Sequence, residues 1–283
     1  MDILLTTLII GGMGFLCAIL LALIARRFHV EENPRIATVT DVLPQINCGA
    51  CGYAGCADYA RAIVEKNAST ILCTPGGADV ARKIGDIMGT TVVTGGNERR
   101  VAVVRCGGGL SSSKRRYVYN GITDCLAADA IHGGDKACTY GCLGYGACAR
   151  VCPANAIDIH DGVAHIIKER CIACNACVKV CPRLLITLVP ESHTIHVLCS
   201  SRDKGSIVRT LCTHGCIGCK LCTKADSSFT MDGALATVDY TKPPVRNLEI
   251  LSKCPGHCIH KDETRRQEIE RLKKLNAEAQ RKT

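Results

Sequence analysis

Cys171, Cys174, Cys177 and Cys181, with Pro182 behind them, read C-x2-C-x2-C-x3-C-P, and no other feature limits the fold of this chain so strongly. Three thiols two residues apart can wrap one corner of a metal–sulfur cubane, which ties that backbone into a tight loop. The fourth, set before a proline, characteristically ligates a different cluster where two such clusters share a fold. A partner run lies upstream: Cys138, Cys142, Cys148 and Cys152, closed by Pro153. By the cross-over rule Cys152 joins Cys171, Cys174 and Cys177, while Cys181 serves the upstream site.

The composition agrees. The chain has 283 residues, 22 cysteines, no tryptophan and 4% aromatic residues, too few bulky side chains for one large core. Several small modules held by metal fit better. Disulfides would need an oxidising compartment. Against that, Ile3 to Ala25 is almost wholly apolar, and about 23 residues at the helical rise span roughly 34 Å, enough for a bilayer. The positive charges Arg26 and Arg27 follow this run and no A-x-A site closes it, so an uncleaved anchor is expected rather than a signal peptide. The positive-inside rule then puts the rest of the chain on the cytoplasmic side of an inner membrane. The net charge of +9 suits acidic carriers or anionic lipid, or simply a solvated surface. Without a basic patch interleaved with aromatics, nucleic acid is not an expected partner.

The expected fold class is α+β, built from small iron–sulfur modules. Residues 1–27 form a transmembrane anchor and 31–89 a helical four-cysteine domain. Residues 90–137 form a linker and repeat lead-in, 138–190 a two-cluster ferredoxin-like domain, 191–260 a degenerate one, and 261–283 a charged tail. The run from Cys138 to Cys152 aligns without gaps on Cys212 to Asp226, and Asp161-Gly162 and Asp232-Gly233 each sit between apolar segments. Two tandem ferredoxin-like units with short β-hairpins follow from this.

Four clusters are expected. Cys48, Cys51, Cys56 and Cys73 could hold zinc, but the glycines at 49, 52 and 55 favour a bulkier [4Fe-4S] group. Cys152, Cys171, Cys174 and Cys177 form the second site. In the third, Tyr145 stands at the place of the second cysteine; either Cys138 substitutes or iron is missing, and the expected set is Cys138, Cys142, Cys148 and Cys181. In the fourth, Cys216, Cys219 and Cys222 take Cys254, before Pro255, as remote ligand. Its companion is lost, because Asp226 replaces the cross-over cysteine and Pro244, Asn247 and Ile250 fill the remaining ligand places. Cys106, Cys125, Cys199, Cys212 and Cys258 are left, either for a fifth cluster or as buried thiols. His257 and His260 beside Cys254 and Cys258 are a minor candidate for zinc. No G-x-G-x-x-G, P-loop or nucleophile elbow is present, so no catalytic residue is expected on this chain.

The anchor ending in Arg26-Arg27, then Cys48-Gly-Ala-Cys51-Gly-Tyr-Ala-Gly-Cys56-Ala-Asp-Tyr-Ala, then the Cys-Pro units, resembles the B-subunit family of the Rnf complex. The resemblance covers nearly the whole chain. It implies a membrane complex that couples electron transfer between reduced ferredoxin and NAD to movement of Na+ or H+. It also implies soluble ferredoxin and other membrane and peripheral subunits as partners, with flavin and nicotinamide held elsewhere. A self-contained membrane-anchored reductase, or an electron adaptor for another reductase, is the competing expectation.

Overall fold

The structure is a computed structural model and describes residues 2–27, 33–90, 98–263 and 267. Most of the expected linker around Gly95-Gly96-Asn97, and a helix expected around Ile269, Leu272 and Leu275 in the tail, lie outside the described residues.

Helix α1 (Asp2–Arg27) carries the apolar run, and none of its stretch Thr7–Ile24 is buried against the rest of the protein. It is the one helix among the described residues long and apolar enough to cross a membrane. Three helices follow: α2 (Pro34–Val42), α3 (Cys56–Lys66) and α4 (Gly77–Met88). Asn33 caps α2 by accepting from the Arg35 N–H at 3.0 Å, with Pro34 at the first turn, where its missing N–H costs nothing. The three close over Ile36, Val39, Leu43, Tyr59, Ile63 and Ile84. The Tyr59 hydroxyl donates to Ser69 O at 2.8 Å and accepts from Leu72 N–H at 3.2 Å, which ties the loop bearing Cys73 onto α3.

Two units of one design come next. In the first, β1 (Arg100–Val104) leads to α5 (Cys125–Ala130) and α6 (Ala147–Arg150). The hairpin of β2 (Ile157–His160) and β3 (Val163–Ile166) follows, then α7 (Ala176–Val180) and β4 (Ile186–Pro190). The second unit has β5 (Ile195–Val197), α8 (Gly205–Leu211) and α9 (Leu221–Ala225). Its hairpin is β6 (Phe229–Asp232) and β7 (Leu235–Val238), followed by α10 (Glu249–Lys253) and β8 (Ile259–Lys261). Each unit closes by pairing its first strand with its last, β1 with β4 and β5 with β8, both antiparallel. The matching closing bonds are Arg105 N–H to Leu185 O (2.8 Å) and Leu198 N–H to Cys258 O (2.7 Å). Repeat positions therefore correspond, and Cys258 in the second unit takes the place of Leu185 in the first. Both are buried, at 2% and 1% exposure, so Cys258 fills a core position.

The hairpins turn differently. Asp161 and Gly162 both have positive φ (48° and 66°), the requirement of a type I′ turn. In the second hairpin Asp232 pairs with Leu235, so the turn is Gly233-Ala234, one residue later than the Asp-Gly pair suggests. The environments differ too. A Cβ on Gly162 would lie 2.8 Å from the Leu110 side chain, whereas one on Gly233 meets nothing within 4 Å. Gly162→Ala is expected to destabilise the protein by about 1–3 kcal/mol, and Gly233→Ala by less, as read from denaturation midpoints. Equal effects would contradict this account of the turns.

Candidate metal–sulfur sites

The structure gathers the cysteines into groups. Cys48, Cys51, Cys56 and Cys73 converge on one end of the three-helix module. Burial pushes the Cys73 thiol up, and the negative charges of Cys56, Cys48 and Cys51 add to this. Asn47 accepts the Cys56 N–H at 2.8 Å, fixing the start of α3 against the loop.

Cys177 faces Cys171, Cys174 and Cys152; burial, reinforced by those three thiolates, pushes its thiol up to about 12. The fold thus brings Cys152, the cysteine assigned to this group by the cross-over rule, within electrostatic reach of Cys177. Backbone donors reach the sulfurs: Ala102 N–H to Cys171 Sγ at 3.4 Å and Ala156 N–H to Cys152 Sγ at 3.3 Å. Cys174 also lies within electrostatic reach of Cys48, so this group is next to the helical module.

The third group differs from expectation. Cys142, Cys148 and Cys181 line one hollow, but the fourth cysteine there is Cys125, not Cys138. The reason is local packing. Asp124 caps α5 by accepting from Leu126 N–H (2.8 Å) and Ala127 N–H (3.3 Å), and the Arg150 guanidinium pairs with the same carboxylate. Tyr145 packs beside Cys125, Ala128, Leu143 and Ala147, with Tyr119 against its ring at 5.3 Å. The tyrosine that displaces a ligand thus helps seat the helix whose first residue replaces it. Arg183, two residues after Cys181, donates to Asp129 at 2.6 Å and to Cys138 O at 3.4 Å, bridging α5 and the Cys138 loop.

Cys216, Cys219, Cys222 and Cys254 line a further hollow together with Cys258, whose sulfur lies 3.8 Å from that of Cys254. The companion site of this unit is filled. Asp226 accepts from Ser228 N–H (2.8 Å) and Arg246 N–H (3.4 Å), while Val245 and Ile250 are buried in the core. Cys138 groups instead with Cys106, Cys199 and Cys212, between the two units.

The donor sets discriminate between a single ion and a cluster. No group of three or more His, Cys, Asp or Glu among the described residues is placed to hold one metal ion, His257 and His260 included. Each of the three hollows brings four or five cysteines to one lining. Four thiols gathered without the close approach that a single ion demands suit an iron–sulfur cluster.

Residues 43–75 match the family described as "Putative Fe-S cluster", and residues 164–187 the 4Fe-4S binding domain family. With one apolar N-terminal helix, the fold and its thiol groups define a membrane-associated iron–sulfur protein of ferredoxin type. The chain is 41% identical over 217 residues to the B subunit of the ion-translocating oxidoreductase complex of Methanosarcina acetivorans, covering 76% of this chain and 81% of the relative. It is 41% identical to the B subunit of the Na+-translocating ferredoxin:NAD+ oxidoreductase complex of Acetobacterium woodii, covering 90% of this chain and 76% of that one. To the B subunit of the proton-translocating ferredoxin:NAD+ oxidoreductase complex of Clostridium ljungdahlii it is 38% identical, over 87% and 88%. The chain belongs to the family of B subunits of ion-translocating oxidoreductase complexes.

Two expectations test the sites. Cys125→Ser should lose one cluster, and adding Tyr145→Cys, which restores the regular spacing, should recover it; iron and acid-labile sulfide per chain report both. Loss without recovery, or no loss, would contradict the placement. The second concerns pH. Burial pushes Cys142 up to about 11 and Cys148 up to about 12, so the metal-free thiols are protonated at neutral pH. Metal–sulfur binding must displace those protons, so iron uptake by the stripped chain should rise between about pH 6.5 and pH 8.5. Uptake that is flat or falls over this range would argue against it.

Proposed function

We propose that this chain is the electron-transfer subunit of a redox-driven ion-translocating complex, taking electrons from soluble ferredoxin and delivering them towards NAD-linked subunits. The observation that carries the reading is the adjacency of the thiol groups. Cys48 of the helical module lies within electrostatic reach of Cys174, and Cys177 of that second group within reach of Cys148 of the third. Cys48, Cys51, Cys56 and Cys73 would hold one [4Fe-4S] cluster. Cys152, Cys171, Cys174 and Cys177 would hold a second, Cys125, Cys142, Cys148 and Cys181 a third, and Cys216, Cys219, Cys222 and Cys254 a fourth.

A bound cubane supplies one-electron chemistry at a potential set by its type, by hydrogen bonds to its sulfurs and by burial. This chain contributes the rest. Ala102 and Ala156 donate N–H bonds to the sulfurs of the second group, and Ala236 N–H donates to Cys216 Sγ at 3.3 Å. Such donors stabilise added negative charge and favour the reduced state. Cys171 and Cys216 are themselves buried, which keeps water from their sulfurs. Arg26 and Arg27 at the end of α1 support a cytoplasmic location for everything after the anchor, where soluble ferredoxin is available.

The test is reduction of the complex in anaerobic inverted membranes by reduced ferredoxin. Replacing Cys174 by Ser should lower NAD reduction by at least about tenfold while NADH-driven reduction of an artificial acceptor persists. An unchanged ferredoxin-dependent rate would sink the proposal.

A further inference from the structure

The seam between the two ferredoxin-like units holds four cysteines that neither unit uses alone. Cys106 and Cys138 come from the first, Cys199 and Cys212 from the second, and all four line one hollow. The arrangement has approximate two-fold symmetry. Cys106 and Cys199 each follow the first strand of their unit, and Cys138 and Cys212 each stand four residues before the first cysteine of the matching cysteine runs, Cys142 and Cys216. Equivalent backbone groups serve equivalent sulfurs: the N–H of Cys142 donates to Cys106 Sγ (3.3 Å) and that of Cys216 to Cys199 Sγ. Likewise Tyr140 N–H serves Cys138 and His214 N–H serves Cys212. The units are stitched together here by Gly107 N–H to Leu198 O (2.7 Å), Lys114 N–H to Leu211 O and Thr213 N–H to Ser112 O (both 2.9 Å).

Two further observations point to an anionic occupant. Lys136 lines the hollow at 6% exposure, and its ammonium donates to Gly108 O and, at 2.9 Å, to Cys142 O. No carboxylate pairs with Lys136 among the described residues. A buried cation without a counter-ion is costly, and four thiolates around a metal–sulfur core would supply the charge. Gly108 leaves the room: a Cβ there would sit 2.7 Å from Cys212 Sγ.

We infer that Cys106, Cys138, Cys199 and Cys212 bind a fifth [4Fe-4S] cluster shared by the two units, with Lys136 as its charge partner. The inference rests on the reading of the other groups as cluster sites. It also gives the last group a neighbour. Cys106 is one hydrogen bond from Cys142 of the third group, and Cys199 is one hydrogen bond from Cys216 of the last.

The experiment measures iron, acid-labile sulfide and zinc per chain on the full-length protein purified anaerobically in detergent. The expected content is about twenty irons, falling to about sixteen in the double variant Cys138→Ala/Cys212→Ala. Should that variant fail to fold, Lys136→Gln supplies the second readout. In a potentiometric EPR titration it should move one component to lower potential and leave the others in place. About sixteen irons in the unaltered chain, zinc in the seam, or no component shifted by Lys136→Gln would overturn the fifth site while leaving the other four standing. Little iron altogether would instead overturn the cluster reading itself.

Discussion

The two ferredoxin-like units are organised around sulfurs that are largely taken out of water together, and the cysteines of the helical module lie half-buried against its core. The cysteines are part of the cores: Cys148, Cys171 and Cys177 belong to the same buried group as Val101, Val104 and Leu185, and Cys216, Cys222 and Cys254 pack with Ile195, Phe229 and Ile250. With no tryptophan and three phenylalanines, the apolar residues alone enclose little volume. Four thiols crowded in such a space repel as thiolates and are poorly solvated. Metal–sulfur binding removes both penalties, so the free energy of cluster binding is also free energy of folding.

Duplication of one unit explains much of the rest. Closing strands, hairpin, cluster loop and Cys-Pro corner recur, and the sites diverge where packing permits it. In the first unit the cross-over cysteine survives as Cys152, within reach of Cys177. In the second, Asp226 turns its carboxylate to backbone amides, and Ile250 buries itself at the matching ligand place. The pairing of two copies creates a seam found in neither copy alone, and that seam carries the symmetric cysteines and the buried lysine.

What can be read in the sequence is whatever is short-range. The anchor, the Cys-Pro runs, the cross-over of Cys152 and the hairpins all follow from spacing over about ten to thirty residues. Asp232-Gly233 points to a turn one residue too early, because strand register overrides even a strong turn signal. Cys125 escapes the motifs: it lies 17 positions before Cys142, and only Tyr145, Asp124 and Arg150 together bring it in. One signal for it is present, since Thr123-Asp124 ahead of Cys-Leu-Ala-Ala reads as a helix start that would hold a cysteine in place. Proximity along the chain joins Cys138 to the group beside it, whereas its partners come from the other repeat. Spacing leaves Cys258 open, and the register of β5 with β8 gives its role by matching it to Leu185.

The central claim is that the sulfur groups form one continuous series rather than isolated sites. The most direct measurement is the EPR spectrum of the full-length protein, reduced completely under anaerobic conditions and compared with partly reduced samples. Adjacent paramagnetic clusters couple magnetically, so broad spectra that are not the sum of independent signals are expected as reduction proceeds. A fully reduced spectrum that resolves into separate, uncoupled components would contradict the account.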